Sequence, residues 1–329
     1  MKIICAFSSD FRELYQADIY RALALPTGSV VHFRYKKRYV DGNLLSSQNL
    51  TGKKTAIFYS PGNKNDGTPS TENISIRYAT IVNQETSEDT DVFHVYLKLD
   101  HFCNLRIDST NAAEKLPSNC FLSEIDCTAQ AQDSSWQGRV LAVADYLRPL
   151  TFLHIKEIVS ENGNAVALKY FNNSRNCRYC LIGGERYVAR LILANPKGVA
   201  ETIHVAESSS LVAINAVNPL LTSANFDDFD VPLIVRELQS RSIPSLITFC
   251  PRSGELQLNE YATNVELELR SGLKRPLLFG LLTIFAGAGI YLAQPVNPAT
   301  IPVDSWRLLL AALLVGGASS VLYTWFNKK

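Results

Sequence analysis

The 329-residue chain carries almost no net charge, +1 at neutral pH. A balance that close to zero excludes a global electrostatic pull towards nucleic acid, so any such contact has to come from a local patch. A disulfide framework is missing too. The seven cysteines (Cys5, Cys103, Cys120, Cys127, Cys177, Cys180 and Cys250) are odd in number and irregularly spaced, which fits reduced, mostly buried thiols. No Gly-x-Ser-x-Gly, His-Glu-x-x-His, Walker loop or Gly-x-Gly-x-x-Gly occurs, so the commonest hydrolase and nucleotide-fold signatures are missing. Asp227, Asp228 and Asp230 lack the glycine and distal glutamate of an EF-hand loop. Cys177-Arg178-Tyr179-Cys180 is a lone CxxC, with neither a second zinc-ligand pair spaced to match nor the βαβ context of a redox motif. Of the five histidines, His32, His94, His154 and His204 fall within predicted strands, where half-buried structural roles are expected. No catalytic, cofactor-binding or metal-binding residue is expected, and nothing argues for an enzyme. The segment Met1–Phe7 has one basic residue and too short an apolar run for a signal peptide, so the bulk of the chain is expected to stay on the side where it is made.

Charge is also nearly absent from the end of the chain. Hydrophobic residues make up 47% of the sequence, and much of the excess lies beyond residue 275. Residues 276–293 and 308–326 are uncharged apolar runs, each near the roughly 20 residues that span a hydrocarbon core as a helix. Pro276 suits a first helical turn, and Pro295 and Pro298 break the helix between the runs. Arg270, Lys274 and Arg275 precede the first run, and Lys328 and Lys329 follow the second. Positive residues stay cytoplasmic, so the spacing predicts a two-span hairpin in the inner membrane with both termini inside. A pair of buried core helices is the alternative. Small residues recur at helical spacing: Thr283, Gly287, Gly289 and Ala293 in the first run, and Ala312, Gly316, Ser320 and Thr324 in the second. Such faces let helices approach closely in lipid, either within one chain or between chains.

Residues 1–270 alternate with period two in many short stretches. Ile74, Ile76, Tyr78, Thr80 and Val82 do so, as do Phe93, Val95, Leu97 and Leu99, with a polar loop between them that makes a β-hairpin. Glu161-Asn162-Gly163-Asn164 is a second hairpin signal. Asp10–Leu25 reads as a short helix followed by a strand. Trp136, Val140, Val143, Ala144 and Leu147 mark an amphipathic helix capped by Asp133 or Ser134. The expected fold class is therefore mainly β: two β-rich cytoplasmic domains, barrel- or sandwich-like, at 1–130 and 150–270, joined by a linker helix at 131–149. The transmembrane hairpin follows, at 276–293 and 308–326, with a short periplasmic loop at 294–307.

One polar cluster stands out. Arg34-Tyr35-Lys36-Lys37-Arg38-Tyr39 sets four cations beside two aromatics, a combination that can hold phosphates and stack a base. A basic strand end, or contact with anionic lipid headgroups, is the alternative.

The apolar pair 276–293 and 308–326, the β-rich front and the missing catalytic motifs give a layout that resembles small membrane effectors of bacterial antiphage systems, in particular those encoded beside retron reverse transcriptases. The resemblance is one of architecture and assigns no site residues. It implies a toxin held inactive by a partner, released on infection, whose hairpins self-associate and permeabilise the inner membrane in abortive infection. The implied partners are membrane lipid, further copies of the chain, and a reverse transcriptase–nucleic acid complex or other defence-system sensor. A non-toxic membrane-tethered binding module is the alternative.

Overall fold

The computed structural model describes residues 1–272 apart from 48, 69, 71, 88, 109–119, 131–133, 223–224 and 239–241, together with Gly280. In chain order the strands of the first unit are β1 Lys2–Ser9, β2 Val30–Lys36, β3 Lys54–Ser60, β4 Ile74–Ser87, β5 Val92–Phe102, β6 Leu105–Ile107 and β7 Leu122–Ala129, with helices α1 Glu13–Ala24 and α2 Gly42–Ser46. They form one seven-stranded sheet in the order β2-β5-β4-β3-β1-β7-β6. β1 and β3 run parallel, in register from Ile4 opposite Thr55 to Ser9 opposite Ser60, and the crossover between them carries α1, β2 and α2. The run Ile3-Ile4-Cys5-Ala6-Phe7 explains the central position of β1, because each of these residues is buried and a strand covered on both faces reads as a continuous apolar run. Ile4 and Ala6 belong to the main core, whereas Ile3, Cys5 and Phe7 pack with Phe58, Cys103 and Cys127 in a small second core on the opposite face.

The sheet curls towards closure. Just past β2, Phe121 N donates to the Tyr39 carbonyl at 2.7 Å and Asp41 N to the Leu122 carbonyl at 2.9 Å, and Val40 forms a parallel bridge to Leu122. The chain leaving one edge of the sheet thus meets the strand near its other edge.

Helix α3, Trp136–Val143, follows, capped by Ser135, whose side chain accepts from Gly138 N. The sequence pointed to Asp133 or Ser134 for this role. The remaining strands are β8 Phe152–Ser160, β9 Leu168–Phe171, β10 Asn176–Ile182, β11 Arg186–Ala194, β12 Glu201–Glu207, β13 Val212–Ile214, β14 Phe226–Val235, β15 Ser242–Ser253, β16 Leu256–Gln257 and β17 Thr263–Arg270. They divide into a sheet of order β12-β15-β17-β10-β9, with β16 on β15, and a four-stranded sheet of order β13-β14-β11-β8. Inward residues of both sheets, among them Ile155, Leu191 and Leu233 on one and Val205, Phe249 and Leu267 on the other, share the main core with the first unit. The hairpin expected at Gly163 shrinks to one bridge, Val159 to Ala165, because β9 leaves β8 and pairs with β10 in the other sheet.

α1 joins the units. It is helical through Ala24, so the strand expected at Ile19–Leu25 does not form; Ile19, Tyr20 and Leu23 are instead buried on its inner side. The Tyr20 ring lies edge-on to Tyr261 at 5.9 Å, and its hydroxyl donates to the Thr151 carbonyl at 3.0 Å.

The transmembrane hairpin expected from the sequence is corrected here. Crossing a bilayer takes about 20 apolar residues in one helix. The longest described helix, α1, has 12 residues, and no described helix is long and apolar enough to cross a membrane. The runs 276–293 and 308–326 fall outside the described residues, Gly280 apart. With them go Thr283, Gly287, Gly289, Ala293, Ala312, Gly316, Ser320 and Thr324, and the flanking Lys274, Arg275, Lys328 and Lys329. Arg270 is described and acts locally, ending β17 with an ion pair to Glu268 at 2.8 Å. The described residues form a mainly β fold with no membrane-spanning helix among them, and the inner-membrane placement built on the hairpin is withdrawn.

Candidate functional site

The C-terminal ends of β1, β2 and β3 open on one cavity of about 470 Å³. Ligand sites are common at the mouths of curled or closed sheets, and the volume suits a small molecule. Its walls are apolar: Phe7, Tyr15, Phe33, Tyr35 and Phe121 line it. Four cations border it, Arg12 before α1, Arg34 and Lys36 on β2, and Arg38 in the 3-10 turn Lys37–Tyr39. None of the four forms an ion pair with a carboxylate among the described residues.

The β1–α1 loop builds the opposite side. Asp10 accepts from Gly62 N at 2.5 Å and Asn63 N at 3.0 Å, tying this loop to the one after β3. A Cβ at Gly62 would lie 2.8 Å from Asp10 Oδ2 and push aside the carboxylate that ties the two loops. Ser8 Oγ donates to the Tyr15 carbonyl at 2.8 Å, which fixes the first turn of α1 against β1. Phe11 stands 82% exposed at the rim. Arg12 offers the helix no side-chain cap, so the positive end of the α1 dipole borders the cavity.

Asp18 is the second carboxylate. Its side chain is 13% exposed, and its Oδ1 accepts from Arg21 Nη1 at 3.1 Å. Burial pushes its pKa up to about 6, against the pull of the Arg21 and Arg34 charges. Arg21 is itself held by the second unit, donating through Nε to the Ala262 carbonyl at 3.2 Å and through Nη2 to the Glu260 carbonyl at 2.5 Å.

Five of the six residues singled out in the sequence therefore line one cavity: Arg34, Tyr35, Lys36, Arg38 and Tyr39; Lys37 does not. Their roles differ from those expected. Tyr35 follows Val31 and Phe33 on the inner face of β2, is 7% exposed, and donates its hydroxyl to the Phe7 carbonyl at 3.2 Å. It is a wall residue and cannot present a stacking face. The Tyr39 ring lies edge-on to Phe121 at 5.4 Å, under the Arg38 guanidinium at 4.9 Å. The exposed aromatic is Phe11. Sequence reasoning passed over Asp10, Phe11, Arg12 and Asp18. The available signal was a both-face-buried strand running through a short polar loop into a helix.

Elsewhere, His32 Nε2 and His94 Nδ1 lie 2.9 Å apart, with His32 stacked on Tyr96 at 4.6 Å. Cys177 and Cys180 sit on β10, and Cys180 Sγ donates to Glu268 Oε2 at 3.6 Å. Among the described residues, no group of three or more His, Cys, Asp or Glu side chains is placed to hold a metal ion.

No family model matches the chain, and no curated protein matches it. Solved structures with partial likeness include domains 4 and 5 of the S-layer protein SbsC, at 12% identity and a TM-score of 0.18, covering 38% of this chain and 67% of that one. The Vibrio cholerae VesB protease matches at 10% identity and a TM-score of 0.22, covering 74% and 89%. A chimeric titin Z1Z2 tandem matches at 8% and 0.17, covering 76% and 94%. Overlap at this level transfers neither a fold nor an activity to this chain.

Proposed function

We propose that the protein is a binding module for a nucleotide-class ligand, seated in the cavity at the ends of β1, β2 and β3. One observation carries the reading. Four exposed cations that form no ion pair among the described residues border one apolar cavity, an arrangement that concentrates positive potential where an anionic ligand would sit. Arg34, Lys36, Arg38 and Arg12 supply the charge for phosphate oxygens. The apolar walls and the rim ring of Phe11 supply contact for a base. A nucleic-acid end presented by a reverse transcriptase complex carries the same phosphate and base chemistry as a free nucleotide.

The test is calorimetric titration of the full-length protein with GTP, ATP, CTP and UTP, and with a short single-stranded oligonucleotide. The expected result is saturable one-to-one binding that weakens with salt and falls at least about tenfold in the Arg34→Ala/Arg38→Ala double variant, since charge-assisted hydrogen bonds contribute about 1.5–3 kcal/mol each. Absence of binding at millimolar nucleotide, or an unchanged affinity in a folded double variant, overturns the proposal. Tighter binding of the oligonucleotide than of any free nucleotide assigns the cavity to a strand end.

A further inference from the structure

We infer that the base held in this cavity is guanine, read by the carboxylate of Asp18; the inference rests on the nucleotide reading above. Asp18 lines the cavity with a side chain only 13% exposed. Its Oδ1 is taken by Arg21, and among the described residues its Oδ2 receives no hydrogen bond. A carboxylate oxygen on a cavity wall with no protein donor can accept a hydrogen bond from whatever fills the space beside it.

The donor pattern of the bases selects the ligand. Guanine alone places two N–H groups side by side on its Watson–Crick edge, N1–H and the N2 amino group, at the spacing of two carboxylate oxygens. Adenine and cytosine offer one amino group beside a bare ring nitrogen, which would face the second oxygen lone pair to lone pair. Uracil offers one N–H between two carbonyl oxygens. A site built to pair with a donor discriminates strongly against analogues that lack it, because their binding displaces water from the acceptor without replacing its hydrogen bond.

The carboxylate is also held in place. Arg21 anchors Asp18 from one side and is itself fixed by the carbonyls of Glu260 and Ala262, so the acceptor does not have to be ordered when the base arrives. Three of the four cations, Arg34, Lys36 and Arg38, stand on β2 and in the turn after it, on a different element from Asp18. Base and phosphates can therefore be engaged together by opposite charges.

The experiment is a competition titration on the full-length protein at pH 7.5 with GTP, ITP, ATP and XTP. The expected order is GTP, then ITP, which lacks the N2 amino group, then ATP, with at least about a tenfold gap between GTP and ATP. Asp18→Asn is expected to lose that preference and favour XTP, whose C2 carbonyl accepts from the new amide; a thermal melt of the variant establishes that it folds. Equal affinity for GTP and ATP, or an Asp18→Asn protein that still prefers GTP over XTP, overturns the guanine assignment while leaving nucleotide binding in place. Failure of all four nucleotides to bind overturns both.

Discussion

Arg77 donates through Nη1 to the carbonyl of Leu25, the C-cap of α1, at 2.7 Å. The same nitrogen reaches the Ala22 carbonyl at 3.1 Å, Nη2 reaches Thr27 Oγ1 at 2.8 Å, and Nε donates to the Asp100 carbonyl. The guanidinium lies over the Phe102 ring and is fully buried. Burial lowers its pKa to about 9, so it stays charged at neutral pH. Orphan carbonyls at a helix C-terminus suit a cation, and β4 here supplies one from beneath. Arg77→Met keeps the bulk and leaves three carbonyls unpaired. At about 1–3 kcal/mol for each buried unsatisfied group, the loss should be about 3 kcal/mol or more by urea unfolding, with Arg77→Lys recovering part of it.

His154 should set the acid limit of the fold. Burial, assisted by the nearby Arg77 charge, lowers its pKa to about 3, while an unfolded histidine titrates near 6.5. The folded state therefore holds His154 neutral where the unfolded state binds a proton. Stability from this group is complete above about pH 6.5 and declines as the pH falls towards 3, by up to about 4–5 kcal/mol. In His154→Gln, unfolding free energy measured from pH 7 to 4 should vary less steeply than in the parent; an equally steep profile refutes the assignment.

Asp18 has the opposite sign. Its pKa is raised to about 6 from an unfolded value near 3.9, so the fold prefers the protonated acid. Stability falls as the pH rises through that interval and stays at its lower level above it. Asp18→Asn should therefore stabilise the ligand-free protein at pH 7.5 by about 1–2 kcal/mol, read as a higher melting temperature. A binding residue that weakens the empty fold is a familiar trade between stability and function. A lower melting temperature would show that the Arg21 contact outweighs the burial of charge.

Phe11 offers a cleaner separation of binding from folding. It is 82% exposed, so Phe11→Ala should leave the melting transition unchanged within about 0.5 kcal/mol. Loss of a stacking ring should weaken nucleotide binding by about 1–3 kcal/mol. Unaltered affinity would remove Phe11 from the site.

Legibility in the sequence followed range. The β4–β5 ribbon was readable because Ile74, Ile76, Phe93, Val95 and Leu97 alternate with polar neighbours along adjacent segments. The basic cluster at 34–39 was readable as charge. The parallel pairing of β1 with β3 was not, since it depends on a crossover that local periodicity does not encode. Composition places Tyr35 among the ligand-facing rings because it ignores parity; counted from Val31 and Phe33, the residue falls on the inner face. Asp18 and Phe11 carried no motif, and their meaning comes only from the curl of the sheet that brings β2 beside α1. The C-terminal runs were legible as composition alone, and apolar composition did not establish a spanning helix.

Since Tyr20, Leu23 and Arg21 of α1 are completed by Phe152, Tyr261 and the carbonyls of Glu260 and Ala262, the main core belongs to both halves of this chain at once, and only the small cluster around Cys5 and Phe58 lies wholly within the first. A gene split after residue 130 would yield one fragment with a bare aromatic flank and another missing the helix it folds around. Such fragments should be insoluble singly and recover only when co-expressed. A shared interior of this kind ties the two halves to one another, so neither is expected to serve as a portable part.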